Sequence, residues 1–435
     1  MKAPSALALV AAIALGAVVS AQHRPIRPPV QRLLGVGNTP APSAPSGSSD
    51  SFFDDTTLHR IDLAMNAKDW QTLKDNYLDN TYYPTDFKAD GQPVLRNVGI
   101  RSRGTGSRSG VKPGLRVDFD RYTSDQKYLG LKSFVLRNNT QDPSNLHERL
   151  GMWLFRRLNL EAPREAATRL YVNDAYAGLF TIVESIDKTF LNRTFSEDTG
   201  HLYKYDYPAD GTPWYFTDKG TDPAQYVPLP FKPETLESDP QGEFIVQWVQ
   251  AVNNATASSV QSAVGPYLNL QKFLRHLAVE VFIGDYDGFV GNYGINNFYL
   301  YRLTNQPLFT FIAWDKSEAF KAGPESSVFH NINDVGEAQK NRLVSKVLAD
   351  NALYATFLDA LLECARSASE LTAGDARGAM ELEVEKAYNQ IRQAALDDPQ
   401  KPYTNDEFEG GVNAMRDFAQ RRSGLVTTEV NASRR

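Results

Sequence analysis

The stretch Gly284-Asp-Tyr-Asp-Gly-Phe-Val-Gly-Asn-Tyr-Gly-Ile-Asn-Asn-Phe-Tyr-Leu-Tyr301 decides how this chain is read. It follows an apolar pattern of helical period at 273–283 and feeds an apolar strand pattern at 297–303. Two carboxylates, Asp285 and Asp287, and three asparagines, Asn292, Asn296 and Asn297, therefore fall in a glycine-rich loop between two buried elements. Such a loop can aim several hard oxygens at one point, as Mg²⁺ requires. Taken alone, it is better explained as a polar turn with Asx caps. The strand pattern at 308–314 changes the balance, because it ends on a carboxylate, Asp315. Protein kinases combine a base Asp and a metal-binding Asn in one loop with a second Asp on the metal. Asp287 and Asn292 share the offset of that loop, with Asn296 and Asn297 as competing metal ligands.

Further upstream, Ile100-Arg-Ser-Arg-Gly-Thr-Gly-Ser-Arg-Ser-Gly-Val-Lys-Pro-Gly-Leu-Arg116 sets Arg103, Arg108, Lys112 and Arg116 around a Gly/Ser/Thr loop between two strand patterns. Backbone N–H groups, hydroxyls and cations of this kind suit a polyphosphate. The spacing is neither a P-loop nor the glycine signature of ordinary kinases, and by itself it reads as a flexible basic hairpin.

The N-terminus reads as an address. Lys2, a small-apolar run at 6–19 and Val19-Ser20-Ala21 form a cleavable signal peptide over 1–21, too short to span a bilayer. Its removal would move the net charge of the 435-residue chain from −6 to −7. An acidic chain has no electrostatic footprint for nucleic acid or anionic lipid, and no membrane span is expected. Residues 22–51 are rich in Pro, Ser and Ala and read as a disordered linker. The single cysteine, Cys364, sits in an apolar helical pattern and reads as a buried small residue rather than a nucleophile. The histidines lack a paired helical spacing, which argues against zinc.

Beyond the linker, strand patterns at 58–65, 94–102, 115–119 and 133–137 predict an antiparallel sheet, with helices over 68–78 and 144–158. A hairpin follows, 167–172 and 176–184, turning at Asn173-Asp174, and Asp187 is placed to cap a short helix ending near 195. Residues 206–240 read as one long surface loop carrying Trp214, Tyr215 and Phe216, which either stack on sugars or pin the loop. The remainder is mainly helical. This is an α+β chain with a sheet-rich N-lobe at about 52–205 and a helix-rich C-lobe at about 206–430.

The order of these motifs resembles the CotH family. The features that carry the resemblance are the basic loop, the hairpin Tyr171-Val-Asn-Asp-Ala-Tyr-Ala-Gly-Leu-Phe-Thr-Ile-Val-Glu184, Gly200-His-Leu-Tyr-Lys-Tyr-Asp206, the acidic loop closed by Asn296-Asn297, and Trp314-Asp315. The likeness runs from about 58 to the Arg421-Arg422 region. It implies a two-lobed atypical protein-kinase-like fold over 52–435 and transfer of the ATP γ-phosphoryl group to Ser/Thr hydroxyls of secreted or surface proteins, with Mg²⁺ or Mn²⁺. Carried over, Asp285 or Asp287 would be the catalytic Asp, and Asn297 or Asn292 would hold the metal with Asp315. Lys112 or Arg116 would contact the phosphates, and Arg103 would lie in the loop covering them. Glu148 would pair with that cation, and Glu184 would mark the inter-lobe hinge beside adenine. The family's usual second acidic residue after Trp-Asp is replaced here by Ser317. A catalytically degraded surface or structural binding module is therefore the alternative reading. A carbohydrate-active or carbohydrate-binding protein is a third and weaker reading, because Asp285 and Asp287 lie two residues apart on one loop rather than flanking a sugar-sized cleft. The acceptor and the oligomeric state are not legible.

Overall fold

The computed structural model describes residues 47–434. The signal segment and most of the 22–51 linker lie outside the described residues. All described residues fall in one compact unit, and their helices and sheets are mixed. Seven strands come first: β1 (His59–Met65), β2 (Tyr83–Ala89), β3 (Leu95–Ser102), β4 (Leu115–Asp118), β5 (Ser133–Arg137), β6 (Glu165–Val172) and β7 (Ala175–Glu184). The sequence predicts an antiparallel sheet; these strands go further and close into a barrel, ordered β1-β2-β3-β4-β5-β7-β6. Closure comes from a parallel β1–β6 pairing, with His59 opposite Thr168 and Leu63 opposite Val172. It also needs β2, which the sequence pattern missed. β2 carries Pro84, Asp86 and Lys88, and Phe87 is its one large buried apolar side chain.

The barrel interior is filled by Ile61, Leu63, Phe87, Ile100, Val117, Phe134, Leu170 and Ile182, among others. Alternation along β5 turns Phe134 and Leu136 into this core, while Val135 joins a separate cluster. That second cluster includes Val183, Tyr299, Ile312 and Trp314, so it packs the outside of the barrel against another sheet. The other sheet is antiparallel, ordered β11-β10-β8-β9, from β8 (His201–Tyr205), β9 (Phe231–Pro233), β10 (Phe298–Arg302) and β11 (Phe309–Ala313).

Helices α1 (Ala67–Asp75), α2 (His147–Arg157) and α3 (Lys188–Phe195) accompany the barrel; Asp187 caps α3 by accepting from the amides of Thr189 and Phe190. The rest is α4 (Gly242–Asn254), α5 (Val260–Val264), α6 (Leu270–Phe282), α7 (Arg342–Leu348), α8 (Asn351–Ala368), α9 (Ala379–Leu396) and α10 (Asn405–Ser433). Their apolar faces share one core with α2 and the second sheet. The stretch 206–240, read from sequence as one long loop, contains β9, which pairs with β8. Ahead of β9, Trp214 stacks on Phe216 and Phe216 packs edge-on against Trp248, all three buried. These aromatics pin the loop. Cys364 is buried in α8, and burial pushes its thiol pKa up.

Candidate functional site

β11 is apolar and buried along its whole length, and the chain leaves it at Trp314 and Asp315. Asp315 takes a left-handed backbone, φ 52°, which turns its carboxylate out of the strand line. One oxygen pairs with Arg137 Nη1 at 2.7 Å, and the other accepts from the Ser317 hydroxyl at 2.8 Å. Burial opposes the charge, but Arg137 and the Ser317 hydroxyl hold the Asp315 pKa at about 2. Arg137 ends β5 and also reaches Glu148 of α2, 3.0 Å from Nε to Oε1. Glu148 accepts from the Lys316 amide at 2.8 Å. Burial raises the Glu148 pKa, and burial together with the neighbouring Glu148 carboxyl raises that of buried Glu165 well above the usual carboxylate range.

The acidic loop meets this cluster from the other side. Asp287 accepts from Asn296 Nδ2 at 3.0 Å and from Asn297 Nδ2 at 2.8 Å. Burial and the charge of Asp315 raise the Asp287 pKa against those hydrogen bonds. Asp287, Asn296, Asn297, Asp315 and Ser317 line one cavity of about 520 Å³, with Arg103 and the glycine-rich loop 104–108 across it. Arg108 holds that loop, donating to the carbonyls of Gly104, Tyr77 and Asp79 and to Asn80.

Arg103 differs from its neighbours. Its guanidinium lies over the Trp314 ring at 5.6 Å, and Arg137 lies over the same ring at 5.2 Å. Among the described residues, no carboxylate comes within ion-pair distance of Arg103. Burial and Arg137 lower its pKa to about 10, while Asp315 acts in the opposite sense at longer range. A half-buried cation without a counter-ion, facing two carboxylates over a cavity, is set up to meet an anion. Arg103 and Trp314 also border a second cavity of about 860 Å³, lined by Arg116, Val135, Ser185, Ile186, Asp187, Tyr299 and others.

The family model for CotH kinase protein matches residues 100–426, most of the chain and all of this site. The chain belongs to the CotH family. It is 23% identical over 377 residues to inner spore coat protein H of Bacillus subtilis (strain 168), covering 86% of this chain and 98% of that protein. It is 22% identical over 162 residues to spore coat protein homolog 1 of Rhizopus delemar, covering 36% of this chain and 25% of that one. Among solved structures, the Helicobacter pylori proinflammatory kinase CtkA aligns over 71% of this chain and 94% of its own, with 10% identity and a TM-score of 0.32. The Shewanella oneidensis HipA–HipB–operator complex aligns over 86% and 74%, with 11% identity and a TM-score of 0.34.

Of the residues named from sequence, this CotH-family chain brings Asp287, Asn297, Asp315 and Arg103 to one cavity, and Arg116 to the adjoining one. Glu148 stands behind Asp315, paired with Arg137 rather than with Lys112 or Arg116. Four others lie elsewhere. Asp285 is fully buried, 2.6 Å from Lys316 Nζ. The Lys112 ammonium is buried against Asp398 at 2.7 Å and the Leu179 carbonyl at 2.8 Å. Asn292 accepts from Asn331 at 2.8 Å and sits 3.1 Å from His330 Nε2. The Glu184 carboxylate is held by Arg164 and Arg193, each at 2.7 Å, although the next residues, Ser185 to Asp187, line the larger cavity.

Sequence reasoning missed Arg137, Lys316 and Glu280. Arg137 had a signal: it closes a strand pattern immediately before Asn138-Asn139. Glu280 also had one, as a charge inside the apolar run Leu277-Ala-Val-Glu-Val-Phe282. Asp287, Asp315 and the side-chain amides of Asn296 and Asn297, all lining the smaller cavity, carry hard oxygens that suit Mg²⁺ or Mn²⁺. Among the described residues, no group of three or more His, Cys, Asp or Glu is arranged to hold a metal by itself.

Proposed function

We propose that the chain is an exported protein kinase that transfers the ATP γ-phosphoryl group to Ser or Thr hydroxyls of secreted or cell-surface proteins. The observation that carries this reading is Arg103, a cation without a carboxylate partner, opposite Asp287 and Asp315 where two cavities meet. The larger cavity, bordered by Ser185–Asp187, Val135 and Tyr299, would take the nucleoside, and Arg103 and Arg116 would balance the phosphates. Asp315 and Asn297 would hold the divalent cation, whose chemistry is to neutralise charge on the phosphates. Asp287, its pKa raised by burial, would orient the acceptor hydroxyl and take its proton as that oxygen attacks the γ-phosphorus. The bond to the β-phosphate oxygen breaks and ADP leaves. Arg137, tied to Glu148 and Asp315, corresponds in role to the Lys–Glu pair of protein kinases. Support for export comes from the signal-like residues 1–21 and from relatives named as spore coat proteins.

A second reading, a surface module that has lost catalysis, is favoured by one observation: Ser317 occupies one Asp315 oxygen while Arg137 occupies the other. Incubation of the purified chain with labelled ATP and Mn²⁺ decides between them. The kinase reading expects label on the chain or on an acceptor, and its loss in Asp315→Asn. A wild-type chain that binds no nucleotide would leave the surface module.

A further inference from the structure

We infer that Lys316 is a positioning residue that fixes the Asp315 segment against the acidic loop, so that carboxylates from two separate elements face one cavity. Its side chain is fully buried, a costly state for an ammonium. Nζ lies 2.8 Å from Glu280 of α6 and 2.6 Å from Asp285 at the start of the acidic loop. The Asn297 carbonyl, at the loop's far end, is 3.5 Å away. The Lys316 amide donates to Glu148 of α2 at 2.8 Å. Gly151, one turn along α2, packs so closely that a Cβ there would sit 2.8 Å from Lys316 Cβ.

One residue therefore ties α2, α6 and both ends of the acidic loop to the residue next to Asp315. The β10–β11 ladder, Phe298 opposite Ala313, already sets Asn297 beside Trp314, and Asn297 Nδ2 holds Asp287 at 2.8 Å. What Lys316 adds is the anchoring of this hairpin end to α2, to α6 and to the loop's start at Asp285. The cation is not needed to balance Asp315, which Arg137 already does. Burying three ionisable groups to hold two loops is the arrangement expected of a support that orients ligands without touching the reacting atoms.

The role in metal binding rests on the phosphoryl-transfer reading; the role in holding the loop does not. Two variants separate function from folding. Lys316→Met leaves Glu280 and Asp285 buried without a cation, so its folding is checked first. The triple variant Lys316→Met/Glu280→Gln/Asp285→Asn removes all three charges and leaves no buried unpaired ion. Mn²⁺ affinity in the presence of ATP is measured by calorimetry, nucleotide affinity by titration without metal, and loop order by hydrogen exchange of the whole chain.

The expected result for the triple variant is a Mn²⁺ affinity lower by roughly 10–100-fold, with metal-free nucleotide binding at the wild-type level. Exchange should quicken at 285–297 and 315–317 and stay unchanged in barrel strands β1 to β7. Unchanged protection of both segments overturns the inference, as does uniform loss of protection along the whole chain. If wild type takes up no Mn²⁺ with ATP, the kinase reading falls, and the exchange data alone decide the role of Lys316.

Discussion

At the residue scale, charge pairing separates side chains that build the site from those free to bind. Arg137, Lys316 and Glu148 are each committed to protein partners. Arg103 is committed only to an aromatic face. Arg103→Ala should therefore leave the urea midpoint nearly unchanged and weaken ATP binding about tenfold or more, as expected for losing a charged hydrogen bond; calorimetry on both proteins checks this. Asp285 makes a pH prediction. Burial is the largest influence on it, and with the charge of Glu280 it outweighs Lys316, raising the carboxyl from 3.8 to about 7. The folded chain thus keeps a proton that the unfolded chain releases, so this contribution to stability is full below about pH 4 and lost as pH rises through about 7. The groups that face Asp285 are Lys316, Glu280 and Asp287, with His276 of α6 beyond Glu280. Urea midpoints across that window should fall more steeply for wild type than for Asp285→Asn.

At the element scale, α2 and β5 matter because each serves two neighbours. β5 turns Phe134 and Leu136 into the barrel and ends on Arg137 at the site. α2 packs its apolar side into the helical core and offers Glu148 and Gly151 to the Asp315 segment. Gly151→Ala tests this packing. Alanine gains up to about 1 kcal/mol in helix propensity, but the new methyl would lie 2.8 Å from Lys316 Cβ, an atom close to the backbone. Overpacking should win, with a net loss of roughly 1–3 kcal/mol in urea unfolding. A Gly151→Ala chain as stable as wild type would mean that α2 is not seated against this segment.

At the scale of the whole molecule, the basic stretch is divided between two tasks. Arg103 and Arg116 face cavities, whereas Lys112 turns into a buried pair with Asp398, which also accepts from the Leu179 amide. That pair fastens the barrel to the segment between α9 and α10. Asp398→Ala should destabilise the chain by about 3–5 kcal/mol, because Lys112 would stay buried and unpaired. Adding Lys112→Met should recover much of this loss, with nucleotide binding retained. Loss of nucleotide binding in the folded double variant would instead return Lys112 to the phosphate site.

The reach of sequence reading follows from the same division. Strands with clean alternation, the cap at Asp187 and the acidic loop before Asn297 were legible, because local period and turn chemistry specify them. β2 was not, since its inward face alternates through Thr85, Phe87 and Ala89, of which only Phe87 is large and apolar, and Pro84 weakens the strand pattern. The residues Asp287, Asn297 and Asp315 could be named from their chemistry and their order along the chain. Asp285 and Lys112 have the same chemistry, and nothing local separates them from their neighbours. Their burial depends on Lys316 and Asp398, which lie 31 and 286 positions away in the chain. By itself, the sequence determined the family, the mixed helix and strand content and the pool of candidate charges. Only the tertiary structure decided that the sheet closes, and which charges are paired off inside the protein. Burial and pairing are contacts between distant segments, and no local pattern encodes them.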